Sequence, residues 1–183
     1  MHQINNEVTR YLLDGEKRAS QAIKSPYVIA TYDVIQEKDF CYIVMEECTG
    51  GTLKDYIRKK GTKTCHQGNM SSDEAIEMFR KIVVGYISIV EALFIHRDLK
   101  SANIMVRSNG DPVIIDFGYC EMIMGKRPMI QYNVGSPSYM APESYGKSRY
   151  SEKSDIWALG VILHEMVRGK TLDFGMNIKE YFK

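Results

Sequence analysis

Asp98, Lys100, Asn103 and Asp116 bring two carboxylates, an ammonium and an amide into a short stretch of chain. Magnesium favours oxygen ligands and is usually held by one or two carboxylates together with substrate phosphates. If they converge, these four side chains suit a magnesium–phosphate site. They sit in two polar clusters, Ile95-His96-Arg97-Asp98-Leu99-Lys100-Ser101-Ala102-Asn103 and Asp116-Phe117-Gly118. A third cluster follows, Gly135-Ser136-Pro137-Ser138-Tyr139-Met140-Ala141-Pro142-Glu143.

Convergence needs a fold that brings the first two clusters to one edge. Ile104-Met105-Val106 and Val113-Ile114-Ile115 flank Ser108-Asn109-Gly110-Asp111. Asn-Gly between apolar runs predicts a β-hairpin with a type I′ turn, and such a hairpin folds the two clusters together. Ahead of them, Ser71 and Glu74 form a capping-box pattern. Ile76, Phe79, Ile82, Val83, Tyr86, Ile87 and Val90 behind it predict the core-facing stripe of a helix. Ile156 to Leu163 is apolar throughout, which predicts a helix buried on every side.

The first third reads as a helix and two strands. Leu12, Leu13, Glu16, Ala19 and Ile23 recur at helical spacing, and Ser25-Pro26 ends the run. Tyr27 to Ile35 is β-rich, Gln36 to Asp39 is a polar turn, and Phe40 to Met45 is a second strand. Gly50-Gly51 breaks the chain, and Thr52 to Lys60 can form a short helix. Residues 58 to 70 read as a solvated polar loop rather than a docking patch. The fold class is therefore α+β.

The chain has 183 residues, 44% hydrophobic and 26% charged, with 24 Lys plus Arg against 23 Asp plus Glu. That composition excludes disorder and low-complexity fibres. A net charge of +1 does not suggest a nucleic-acid partner. No apolar run approaches the ~20 residues of a membrane span, and the first residues do not resemble a signal peptide. Cys41, Cys48, Cys65 and Cys120 contain no C-x-x-C pair, so reduced thiols in a cytoplasmic protein are expected.

His-Arg-Asp-Leu-x-x-x-Asn (96 to 103), Asp-Phe-Gly (116 to 118) and Ala-Pro-Glu (141 to 143) occur in order, followed by Ser154-Asp155-Ile156-Trp157-Ala158-Leu159-Gly160. In this set the chain resembles the eukaryotic protein kinases, Ser/Thr type, from about residue 7 to 172. The resemblance implies a partial N-lobe and hinge over residues 1–48 and a partial C-lobe over 49–183. It implies ATP and Mg2+ as cofactors and a protein Ser/Thr hydroxyl as acceptor; it leaves the oligomeric state open.

By that resemblance Asp98 is the catalytic base and Lys100 steadies the transferring group. Asn103 and Asp116 are the metal ligands. Asp155 holds the catalytic-loop backbone, and His96 and Phe117 belong to a hydrophobic spine. Met45 is the gatekeeper, Glu46-Glu47-Cys48 the hinge that meets adenine through backbone groups, and Met105 lies beneath the purine. Ser136-Pro137 belongs to a substrate-facing loop. Glu16 is the helix glutamate that pairs with a strand lysine, its other reading being a solvent-facing charge. Tyr132 stands at the regulatory phosphorylation position, whose phosphate Arg97 would receive; a packed tyrosine is the other reading.

Several parts of the pattern are missing. No lysine precedes Lys17, and Gly-x-Gly-x-x-Gly occurs nowhere. Ser20 and Thr31 stand where the family usually has apolar spine residues, so either the helix register differs or the spine is softened here. Glu143 lacks the arginine it would pair with, a cost of about 3–5 kcal/mol if its carboxylate is buried. The chain is therefore expected to be an incomplete fragment with little activity of its own. The alternative is a pseudokinase-like scaffold or decoy.

Overall fold

The computed structural model describes residues 2–3, 7–38, 40–61, 70–123, 134–145 and 149–172. In chain order they form β1 (His2–Gln3), α1 (Glu7–Ala22), β2 (Thr31–Glu37), β3 (Phe40–Met45), α2 (Leu53–Gly61) and α3 (Ser72–Glu91). Then come β4 (Phe94–Ile95), a 3-10 turn at Ser101–Asn103, β5 (Ile104–Val106), β6 (Pro112–Ile114), β7 (Glu121–Met122), a 3-10 turn at Pro137–Tyr139 and α4 (Glu152–Arg168). The α+β expectation holds.

α1 buries Leu13 and Ala19, and Ile23 just beyond its end is buried too, as the spacing predicts. β2 and β3 pair antiparallel, with Ile35 opposite Tyr42. The turn is tighter than expected. β2 continues through Gln36 and Glu37, and Glu37 pairs with Phe40. β1, unforeseen, adds to the far edge of β3 with His2 opposite Cys41, giving the order β1-β3-β2. Two residues carry no readable period.

α2 corrects the loop expected from residue 58. Arg58, Lys59 and Lys60 form its last turn, where cations complement the helix dipole. Residues 62–69 lie outside the described residues, Cys65 among them. α3 starts as expected, with Ser71 Oγ accepting from Glu74 N at 3.2 Å. The Glu74 carboxylate is engaged elsewhere: it accepts from Tyr56 Oη at 2.8 Å and Lys60 Nζ at 2.7 Å, which ties α3 to α2.

The buried face of α3 is rotated from the predicted stripe. Ala75, Met78, Ile82, Gly85, Tyr86 and Ile89 face inward, whereas Ile76 is 56% and Ile87 47% exposed. Gly85 sets this rotation: a Cβ there would lie 2.7 Å from the Tyr27 carbonyl oxygen. Only glycine lets the helix come this close to the segment entering β2.

β5 and β6 form the predicted hairpin, with Met105 opposite Val113. Its turn is not type I′. Gly110 N donates to Arg107 O and Arg107 N to Asp111 O, and within the turn only Gly110 has positive φ. Asn109 Oδ1 accepts from Asp111 N at 3.0 Å, so its side chain closes a longer loop. α4 is not buried on every side. Ala158, Leu159, Val161, Ile162 and Met166 are buried, but Ile156 and Val167 are exposed. Phe94, Ile82, Ile104, Ile114, Phe117 and Ile162 belong to one continuous core beneath the hairpin.

Candidate active site

The residues before the hairpin pack into a tight knot. Asp98, only 5% exposed, accepts from Lys100 Nζ at 2.6 Å on Oδ2. Asn103 Nδ2 donates to the same oxygen at 3.1 Å and to the Asp98 carbonyl at 3.0 Å. Ser136 Oγ donates to the other carboxylate oxygen at 3.0 Å and accepts from Lys100 Nζ at 3.0 Å. Gly135 permits this approach at φ +101°, since a Cβ there would lie 2.7 Å from the Arg97 carbonyl oxygen. The knot gives Asp98 a fixed orientation, as a general base requires.

The loop is held from below by α4. Asp155 accepts from His96 N at 2.7 Å and from Arg97 N at 2.9 Å. Burial pushes the Asp155 carboxyl up, while His96 and the two amides hold it down; burial prevails. His96 is fully buried, with its ring 5.5 Å from that of Phe117 and Nε2 3.3 Å from Ile115 O. A packed histidine is thus what the structure contains.

Asp116 follows β6 at φ +67°, and its Oδ1 accepts from Gly118 N at 3.2 Å. The Ile115 amide donates to Asn103 O at 3.0 Å, which links the two expected metal ligands through adjacent backbone. Asp116 is exposed and Glu16 is buried beside it, so the solvent-facing reading of Glu16 does not hold. Among the described residues no three His, Cys, Asp or Glu side chains form a metal cluster. The oxygens of Asp116 and Asn103 suit a hard cation that keeps phosphate and water as its other ligands.

Burial first, and then the Asp116 charge, push the Glu16 carboxyl from 4.5 to about 7. A raised pKa means that the native state binds this proton more tightly than the unfolded chain. The stabilisation is fully present below the unfolded pKa and is lost as pH rises through about 7. Without divalent cations, Glu16→Gln should flatten that decline. The gain at pH ~8 is at most about 3 kcal/mol, read from urea unfolding at several pH values. An unchanged slope would refute this role for Glu16.

At the expected hinge, Met45 ends β3 and is exposed. The Glu46 amide donates to Ala30 O at 2.9 Å, so this backbone donor is engaged within the chain. The Glu46 carboxylate is gripped by Arg107 through Nε and, at 2.8 Å, Nη2, while Arg107 Nη1 donates to Pro26 O at 2.6 Å. The hydrogen bond from Arg107 holds the Glu46 carboxyl low. Burial, then Glu46, push the Cys48 thiol up. Gly50 N donates to Val106 O, and Thr52 bridges Met105, so the segment just after the hinge runs beside Met105.

Three features escaped sequence reasoning. The sequence places Ser136 only in a loop. Tyr139 Oη donates to Glu165 Oε2 at 2.6 Å and lies 3.0 Å from Ser101 Oγ, joining the third cluster to α4 and the catalytic loop. Arg107 ties the hinge to the hairpin. None carries a local pattern that would have marked it. The structure also bears on two departures from the pattern. Glu143 is exposed, so no buried-carboxylate cost arises. Ser20 is buried, and the buried Thr31 Oγ1 finds no hydrogen-bond partner among the described residues. Tyr132 lies outside the described residues.

The chain matches the family model described as the protein kinase domain over residues 3–182. It is 33% identical over 182 residues to the SNF1-related protein kinase catalytic subunit alpha KIN12 of Arabidopsis thaliana, covering 99% of the chain and 35% of that protein. It is 34% identical over 179 residues to serine/threonine protein kinase OSK3 of Oryza sativa subsp. japonica, covering 93% and 34%. It is 33% identical over 166 residues to the hormonally up-regulated neu tumor-associated kinase homolog of Xenopus tropicalis, covering 88% and 22%. The chain spans between 22% and 35% of the length of these relatives. Among the described residues no helix is long and apolar enough to cross a membrane.

Proposed function

Because this chain belongs to the protein kinase family, we propose that the protein transfers the γ-phosphoryl group of ATP to Ser or Thr hydroxyls of proteins. The observation that carries the reading is the Asp98–Lys100–Asn103–Ser136 knot. Asp98 orients the acceptor hydroxyl and takes its proton as the hydroxyl oxygen bonds to the γ-phosphorus and the bond to the β,γ-bridging oxygen breaks. Lys100 offers its ammonium to the transferring group. Asn103 and Asp116 would hold Mg2+, which supplies charge neutralisation when bound. Met45, Glu46, Cys48 and Met105 would border the purine, and Glu16 stands beside Asp116. A cytoplasmic location belongs to the same proposal and is supported by the cysteine spacing alone.

The test is incubation of the protein with Mg2+ and γ-labelled ATP beside peptides that differ only in Ser, Thr or Tyr. Label on Ser or Thr peptides is expected, at the low level that a chain without Gly-x-Gly-x-x-Gly and with no lysine before Lys17 implies. Label on the Tyr peptide alone would overturn the specificity. No label would favour the scaffold reading.

A further inference from the structure

Arg97 immediately precedes Asp98, and its side chain is only 9% exposed. A guanidinium cannot shed its charge, so a buried one needs a nearby anion. The chain supplies one. Arg97 Nη1 meets Glu121 Oε2 at 2.6 Å, in an ion pair whose glutamate is itself 18% exposed. Arg97 Nε also donates to Tyr119 O at 2.6 Å, and Cζ lies 5.7 Å from the centre of the Tyr150 ring. β7 pairs with β4, which sets Glu121 opposite Ile95 and within reach of the catalytic loop.

These contacts join three parts of the molecule. The Tyr150 hydroxyl donates to Val134 O at 2.6 Å and accepts from Val134 N at 2.9 Å. The adjacent Gly135-Ser136 packs on Asp98. Arg97 is therefore clasped on one side by the segment that follows Asp116-Phe117-Gly118 and on the other by the ring that fixes Val134. Its backbone has φ +67°, a strained setting for a side chain this large. Surrounding contacts must hold such a residue in place.

We propose that Glu121 is a positioning residue for phosphoryl transfer: by pairing with Arg97 it sets Asp98 without any phosphate on the segment between Gly118 and Val134. The proposal rests on the kinase reading above. Its physical basis is occupancy and sign. The anion that Arg97 requires is built into the sequence. A phosphate brought to the same guanidinium would meet the Glu121 carboxylate as a like charge.

The test uses the protein after phosphatase treatment, shown phosphate-free by mass spectrometry. kcat and KM for ATP are measured beside Glu121→Ala, Glu121→Gln and Glu121→Asp. Phosphate-free wild type should keep its kcat within about twofold. Glu121→Ala and Glu121→Gln should lower kcat by about tenfold or more while KM for ATP stays within about twofold, and Glu121→Asp should restore part of the rate. A wild type that falls to the Glu121→Ala level when phosphate is removed overturns the proposal. So does an unchanged kcat in Glu121→Ala. Amide hydrogen exchange in the nucleotide-free protein gives a readout independent of activity. Exchange at Arg97 and Gly135 should be faster in Glu121→Ala, and unchanged exchange also overturns the proposal. Faster exchange together with no transfer by wild type would keep the positioning role and count against the kinase reading instead.

Discussion

Asp98→Asn is expected to lower the rate of phosphoryl transfer by about 10²–10⁴-fold and to leave ATP affinity within about twofold. The substitution keeps the shape of the side chain and removes its capacity to take a proton. Asp98 is enclosed by Lys100, Asn103 and Ser136, and among the described residues no hydrogen bond or ion pair ties its carboxylate to the hinge residues Met45, Glu46 or Cys48. Its loss should therefore appear in kcat and not in nucleotide binding. Steady-state kinetics and calorimetry with Mg2+ and ATP separate the two quantities. A parallel loss of affinity would mean that Asp98 also helps to hold the nucleotide, and its assignment as a base alone would be wrong.

What could be read in advance was what repeats locally. The strand pair is legible because two apolar runs flank Asn109-Gly110, although the second strand is 112–114 and not the expected 113–115. The turn type is not, because it depends on the Asn109 side chain reaching the Asp111 amide. α3 was legible as a helix, but its rotation was not. Apolar residues lie all round it, so periodicity alone cannot choose the buried face. The choice falls to Gly85 meeting Tyr27, a contact between segments far apart in sequence.

The site follows the same rule. Asp98, Lys100 and Asn103 lie within one short loop, and motif order identifies them. Ser136 reaches Asp98 across 38 positions, and Arg107 reaches Glu46 across 61. Pairs that distant leave no period to read. Glu16 lies between these cases. Its helical spacing was visible, but whether it faced solvent or Asp116 depended on how α1 packs against the segment after β6. The burial of Arg97 against Glu121 likewise depends on β7 pairing with β4, which no local pattern announces.

Asp155→Ala should destabilise the fold by about 2–6 kcal/mol, from two buried backbone donors orphaned at roughly 1–3 kcal/mol each. The donors are the amides of His96 and Arg97, and the carboxylate that accepts them is only 2% exposed, so water cannot readily replace it. Against a typical total stability of about 5–15 kcal/mol, the loss is severe. Asp155→Asn should rescue little. One amide oxygen can serve one backbone donor, but the new NH2 group then points its hydrogens at the other. Urea unfolding of both variants measures the loss, and melting followed by circular dichroism gives a second reading if the alanine variant is mostly unfolded. The same carboxylate fixes the two consecutive amides, of His96 and Arg97, that lead to Asp98. An Asn variant that still folds should therefore lose transfer rate as well as stability. A stability loss below about 1 kcal/mol in the alanine variant would show that the catalytic-loop amides find other acceptors, and the support of Asp98 by α4 would have to be abandoned.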